Sequence, residues 1–369
     1  MYTWLYSYLN EIFFQHSDAS TVISIEWLWY KIKGRMKKNI SGVQNGDRSW
    51  MQIVQKYNKP DAIRSWWQVI NSVVPYFGLW VLMVYSLSIS YWLTLFISIF
   101  AAGFLVRIFI IFHDCGHGSF FKSTKLSRVV GVFTGLLVYT PYHKWHHDHM
   151  IHHQTVGNLD KRGVGDVQTL TVEEYKNMSR SKRMLYRVYR HPILLLIIAP
   201  FFLFTVLFRF PRSERPAKEK LYTHLTTLAL VAIVTLVSLW IGFVPFVLIQ
   251  VPVLYIAAVH GTWLFYLQHQ YEDVKWERTE EWDYKTMALE GSSYLKLPKV
   301  LQWFTGNIGF HHIHHLSPRI PNYKLEKCYN ENPSLHIEKP LTFFSALKSL
   351  KFRLWDEKNK RLVSFRVVN

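Results

Sequence analysis

The chain has 369 residues, carries 43 Lys+Arg against 25 Asp+Glu for a formal charge of +18, and is half hydrophobic and 17% aromatic. Only 18% of it is charged, against about 25% in an ordinary soluble domain, and its apolar residues come in blocks. This excludes a disordered chain, which would be poor in aromatics, and a disulfide scaffold, since Cys115 and Cys328 are the only cysteines. A basic nucleic-acid binder would leave the apolar blocks unexplained, whereas a membrane protein with basic cytoplasmic loops accounts for both.

Residues 1–50 mix aromatic and basic side chains without clear periodicity. They lack the basic start, apolar core and small-residue cleavage site of a signal peptide. They read as an N-terminal extension, with Met51 as an alternative start of a single domain over 51–369.

A spanning helix takes about 20 mostly apolar residues. Val73–Ile89 and Tyr91–Phe112 form a first pair, and Leu225–Ile241 and Phe243–Leu267 a second pair split by Gly242. Val129–Thr140 is apolar but too short to cross, and Ile193–Phe208 is short and contains Pro200. The links Ser86–Tyr91 and Trp240–Pro245 hold no Lys or Arg, whereas Lys122–Arg190 is rich in both and Arg209–Lys220 carries five. The positive-inside rule puts these two basic segments on the cytoplasmic side. Both flanks of Ile193–Phe208 then lie inside, so that segment is expected to be re-entrant or interfacial, and Val129–Thr140 likewise. The predicted fold is an all-α membrane protein. Four transmembrane helices in two hairpins, with interfacial helices, support a cytoplasmic helical cap. Six spans are the alternative.

Twelve of the 18 histidines fall in three short clusters. His113 and His117 form HxxxH, and residues 143–153 hold His143, His146, His147, His149, His152 and His153. His311, His312, His314 and His315 form the third cluster, and His269 follows the last span. Residues three and four apart share a helix face with Cβ atoms about 5–6 Å apart, so their imidazoles can meet at one metal or at two adjacent ones. Imidazole suits Fe, Zn, Cu and Ni, so the spacing does not choose the metal. His113 and His269 end spans on the cytoplasmic side, where the other clusters also lie, so all can converge just above the membrane. Cys115 reads as a packing residue, and His16, His191, His224 and His336 as structural or solvated.

The boxes HDCGH, HxxHH and HxxHH between paired hydrophobic hairpins resemble the integral-membrane fatty acid desaturases. The likeness extends to FLVRIFIIFHDCGHGSFF, NLDKRGVGDVQTLTVEEY, WLFYLQHQYED, LEGSSYLKLPKVLQWFTGNIGFHHIHHLSPRIPNYKLE and FRLWDEKNKRLVSFR. It covers about residues 52–369. The sequence is most similar to the bacterial acyl-lipid Δ5 phospholipid desaturases, with Δ12 relatives next.

That resemblance implies two Fe ions held by His113, His117, His269, His311, His314 and His315 together with one HxxHH of the second cluster. His143, His146 and His147 satisfy that pattern, as do His149, His152 and His153. The family's box lies close before its NLDKRG-type segment, which favours His149, His152 and His153. Asp114, Asp148, Asn307 and His312 are candidates to hold imidazole N–H groups and fix ring tautomers.

The implied reaction is O2-dependent insertion of a cis double bond, Δ5 favoured and Δ12 the alternative, in an acyl chain of membrane phospholipid. The implied place is the plasma membrane of a bacterium, with the site on the cytoplasmic side. An all-His shell differs from carboxylate-bridged di-iron bundles. There is no Gly-rich nucleotide fingerprint after a strand, no fused cytochrome b5 motif, and too few cysteines for an iron–sulfur cluster. Electrons are therefore expected from an external ferredoxin or flavodoxin, acidic proteins that a basic face would attract. The same face would hold anionic lipid headgroups. A membrane di-iron hydroxylase or ketolase is the nearest rival. A His-rich metal transporter is the rival of another class, but its site would lie near the bilayer midplane.

Overall fold

The computed structural model describes residues 49–337 and 339–368. The extension read over 1–50 lies outside them, apart from Ser49 and Trp50, which open α1 (Ser49–Gln55).

Two helical hairpins dominate. The first joins α2 (Ala62–Ser86) to α3 (Tyr91–His117). Asp61 starts α2 by accepting a hydrogen bond from the Arg64 amide, satisfying one of the unpaired donors of the first turn. The buried hydroxyls of Ser86 and Thr94, 2.7 Å apart, fasten the hairpin near its turn. At the other end Gly118, with φ 64°, closes α3 through a left-handed cap. That stop leaves His113 and His117 in the last turns of the helix.

The chain then folds into α4 (Thr124–Leu137) and α5 (Tyr142–Thr155). These pack tightly, and a Cβ on Gly131 would come within 2.3 Å of the Tyr142 ring. A short strand β1 (Leu170–Thr171), α6 (Val172–Lys176) and α7 (Arg180–Tyr189) follow. Next come a π-helical turn, Ile193–Ile198, and α8 (Ala199–Thr205). The second hairpin is α9 (Ala217–Ile241) and α10 (Phe243–His269), turning on Gly242 at φ 93°.

Among the described residues four helices, α2, α3, α9 and α10, are long and apolar enough to cross a membrane. All four spans expected from sequence are present, though α2 starts eleven residues before the Val73 anticipated. α7 and the apolar segment Ile193–Arg209 meet at a bend of 48°, and would add a fifth span only if counted as one broken helix. α9 keeps Leu225, Leu228, Val231, Leu236 and Leu239 exposed. In water such a patch would drive association, but in a bilayer it meets lipid.

The cap is completed by α11 (Tyr284–Glu290), α12 (Lys299–Phe304), α13 (His311–Leu316), α14 (Asn322–Glu331) and α15 (Phe343–Ser349). A three-stranded sheet, absent from the sequence reading, pairs β1 in parallel with β2 (Leu354–Asp356) and β2 antiparallel with β3 (Arg361–Val363). Strands of two or three residues carry too little alternation to be read. Trp355, Leu354 and Leu170 are fully buried in this cap core. The buried Arg190 donates to the Gln168 carbonyl at 2.9 Å and to Gln270 Oε1 at 2.8 Å. It thereby ties the side chain of Gln270, the residue after His269, to the cap.

Candidate metal centre

The nine histidines come together in two groups. His113, His117, His149, His153 and His314 form the first, and His152, His269, His311 and His315 the second. Within each group the facing ring nitrogens all lie within 4.8 Å of one another. α5 and α13 divide their histidines alike. On each, the i,i+4 pair serves one group and the third histidine the other. The pairs His149–His153 and His311–His315 have Nε2 atoms 3.1 and 3.0 Å apart, as one shared helix face requires. The His153 and His315 rings stack at 4.1 Å, so the groups are adjacent.

These contacts bear on whether metal fits. In the second group Nε2 atoms meet at 3.1 Å (His152–His269), 3.0 Å (His269–His311) and 3.0 Å (His311–His315). In the first, His314 and His153 meet at 3.1 Å. A neutral imidazole offers one donor and one acceptor, so a ring of converging Nε2 atoms cannot satisfy itself. Nor can the rings all be protonated. Burial pushes His149, His153, His311, His314 and His315 well below their usual range, and neighbouring imidazoles push the same way. Two nitrogens at right angles on a metal about 2.1 Å away lie about 3.0 Å apart, the spacing seen. The residues therefore fit a pair of cations.

The outward nitrogens fix the tautomers. His113 Nδ1 lies 3.0 Å from Asp114 Oδ1, His152 Nδ1 2.5 Å from Asp166 Oδ1, and His269 Nδ1 3.2 Å from the Gly291 carbonyl. An Nδ1–H donated outward leaves the Nε2 lone pair facing the group.

Of the four residues expected to hold imidazoles, only Asp114 does so. Asp148 pairs with Lys144, at 3.2 Å, and with Arg215. Asn307 accepts from Gln302 and donates to the Asn322 carbonyl. His312 faces away from both groups and bonds the Leu335 carbonyl at 3.1 Å. Sequence reasoning missed Asp166, whose only signal is its place in the Gly163–Asp166 segment just after the second box.

The other HxxHH lies elsewhere. His143 stacks on Tyr222 of α9 at 4.2 Å, His147 Nδ1 lies 2.8 Å from Glu219 Oε2, and His146 lies parallel to Tyr142. Cys115 and Cys328 are buried free thiols.

A cavity of about 1550 Å³, open mouth included, is lined in part by His113, His149 and His311. Its apolar wall is built from α3 (Leu105, Val106, Phe109), α8 (Leu203, Phe204) and α10 (Leu254, Ala258, Gly261). Asp148, Asp166 and Arg212 make its polar part. On α10 the lining residues step one turn at a time toward His269.

Fold and site together define a membrane-embedded protein with two metal-sized histidine nests at the end of a long apolar cavity. Residues 89–344 match the family model described as fatty acid desaturase. A "Fatty acid desaturase" of Bacillus subtilis is 48% identical over 315 residues, 85% of this chain and 90% of that one. An "sn-1 oleoyl-lipid 12-desaturase" of Anabaena variabilis is 30% identical over 78% of this chain and 82% of its own. An "sn-1 acyl-lipid omega-3 desaturase (ferredoxin)" of a Synechocystis strain is 30% identical over 60% and 62%. The chain belongs to the fatty acid desaturase family and is an oxidoreductase that desaturates fatty acyl chains.

Proposed function

We propose that His113, His117, His149, His152, His153, His269, His311, His314 and His315 hold two Fe ions in a domain over 51–369. We propose further that the chain inserts a cis double bond into an acyl chain of membrane phospholipid, at Δ5 in preference to Δ12. The balance is –CH2–CH2– + O2 + 2e⁻ + 2H⁺ giving –CH=CH– + 2H2O. No side-chain base removes hydrogen from an unactivated methylene. When bound, the two irons would activate O2 and supply the oxidising power, while the protein supplies position and electrostatics.

The residues of this chain do the positioning. Phe109, Phe204 and Phe265 line a water-poor path that brings methylene groups to the edge of both histidine groups. The α10 wall, Leu254 to Gln268, is fifteen residues long, and its fourteen steps span about 21 Å at 1.5 Å per residue. An arm that long favours an early double bond, with most of the acyl chain beyond the metals. The polar part near Arg212 suits the headgroup end. Electrons would come from a ferredoxin or flavodoxin, the former in keeping with the name of the Synechocystis relative. The +18 charge favours docking of an acidic donor, and the Lys- and Arg-rich segments 122–190 and 209–220 support a site on the cytoplasmic face of a bacterial plasma membrane.

The observation that carries this reading is nine imidazoles converging at the end of an apolar cavity. Expression in a host lacking desaturases, with the double bond mapped by mass spectrometry, tests it. A Δ5 cis bond in phospholipid is expected; fully saturated lipids, or a hydroxyl in place of the double bond, would refute it.

A further inference from the structure

We infer that Asp114 and Asp166 are positioning residues, one for each histidine group, each setting the metal affinity of its own group. The inference rests on the two-metal reading above. His113 and His152 are the only two of the nine rings with a carboxylate at hydrogen-bond distance among the described residues, and they belong to different groups.

The two carboxylates are held by unrelated parts of the fold. Asp114 Oδ1 meets His113, while its Oδ2 accepts from the Asn322 amide at 2.7 Å and from Asn322 Nδ2 at 2.9 Å. Asn322 is held in turn by Gln68 of α2, which donates to its Oδ1 at 3.0 Å, and by Asn307, which donates to its carbonyl at 3.1 Å. His113, Asp114, Asn322 and Gln68 are all buried. The first carboxylate is thus fully satisfied and clamped between α14 and a membrane helix.

Asp166 sits after Gly163 and Gly165, both at positive φ. A Cβ on Gly165 would lie 3.0 Å from His152 Cβ and 3.1 Å from the Asp148 carbonyl, so glycine lets this loop lie against α5. The Asp166 side chain is 7% exposed and lines the acyl cavity, and its Oδ2 is buried without a hydrogen-bond partner. One oxygen holds His152, and the other is enclosed by protein.

A carboxylate on Nδ1–H fixes the ring tautomer and raises the basicity of the opposite nitrogen. Loss of such a partner costs about 10–100-fold in metal affinity. Since the two carboxylates share no partner, each loss stays with its own group.

The test is Co2+ titration of the full-length, metal-free protein in lipid nanodiscs, followed by the visible spectrum. The wild-type chain is expected to bind two ions. Asp166→Leu weakens one site about 10–100-fold and leaves the other unchanged. Asp166→Asn keeps an acceptor for Nδ1–H and loses less. A packing role would reverse that ranking, because Leu fills the space without the hydrogen bond. Asp114→Asn weakens the other site, and Asn322→Ala, which leaves the carboxylate in place, gives a smaller loss there. Asp166→Leu adds nothing to His152→Ala at the same site but is additive with His113→Ala. The Asp166 variants stand alone if the Asp114 variant does not fold. Loss at both sites alike, loss at neither, or Leu outperforming Asn overturns the carboxylate assignment while the two-metal reading stands. A wild-type chain that binds no metal overturns that reading, and the inference with it.

Discussion

Gly261 offers the most direct test of how the cavity measures its substrate. It lines the cavity on α10, and a Cβ built there meets nothing within 4 Å. Gly261→Phe therefore leaves the backbone into open space, and its ring takes up part of the cavity. It lies eight residues before His269, about 12 Å along the helix at 1.5 Å per residue. A C–C bond of about 1.5 Å advances a zigzag chain by about 1.3 Å per carbon. Beyond a Δ5 bond, the tail of a 14-carbon chain then reaches about 10 Å, and that of an 18-carbon chain about 15 Å. The shorter tail clears the new ring, while the longer one loses room for about two methylenes, at about 0.8 kcal/mol each. The expected result is a drop of about 15-fold in kcat/KM for 18-carbon chains relative to 14-carbon chains. A Δ12 bond would leave a tail of only about 6 Å and no length effect. Phospholipids of defined chain length, presented in mixed vesicles and analysed by gas chromatography, supply the readout. An unchanged chain-length profile, or equal loss of both lengths, would refute the placement of the methyl end along α10.

His152→Ala and His315→Ala each remove a nitrogen from the second group. Bound iron should fall and unsaturation disappear from expressing cells while membrane insertion is kept; retained unsaturation in both would sink the ligand assignment. Cysteines engineered at Ser181 and Ser213, exposed on either side of the Ile193–Arg209 segment, should react with an impermeant label from the same, cytoplasmic side. Labelling from opposite sides would mean a fifth span. The native Cys115 and Cys328 are buried and should give little background. Acid is expected to destabilise the metal-free protein. The imidazoles of His149, His153, His311, His314 and His315 are pushed down on folding, so below pH about 6.5 the unfolded chain binds more protons than the folded one. Their contribution is intact above that pH and is lost as pH falls. A lower Tm at pH 5 than at pH 8 checks the sign, and a flat profile would contradict it.

The spans and the nine histidines were legible because both are local signals. Long apolar runs mark membrane helices whatever they pack against, and imidazoles three and four apart share a face wherever the helix lies. The start of α2 was not legible. Its first eleven residues include Arg64, Ser65, Gln68 and Asn71, and they are helical because Asp61 caps them and Ser65 and Gln68 bond to the cap. Ser65 Oγ donates to the Phe120 carbonyl at 2.6 Å, a partner 55 residues away that no local pattern reveals. The carboxylates divide in the same way. Asp114 is adjacent to the ring it holds, so its role could be proposed from sequence, whereas Asp166 reaches His152 only through a glycine loop. Asp148 is adjacent to His149 in sequence but is occupied by Lys144 and Arg215.

The second cluster shows most clearly what the fold adds to the pattern. α5 carries two overlapping HxxHH motifs, and residue spacing treats them alike. What separates them is what each half of the helix meets. The first half lies against α9, where Tyr222 and Glu219 take up His143 and His147, and its Trp145 stacks on His149 at 4.3 Å. The second half lies between the ends of α3 and α10, where His113, His117 and His269 already point. A helix of fourteen residues can present histidines to both surroundings, but only the half flanked by span ends can share nitrogens with them. The histidine-rich helix therefore does two jobs. Its first turns anchor the second hairpin to the cap, and that anchoring holds its last turns in register with the histidines of both hairpins.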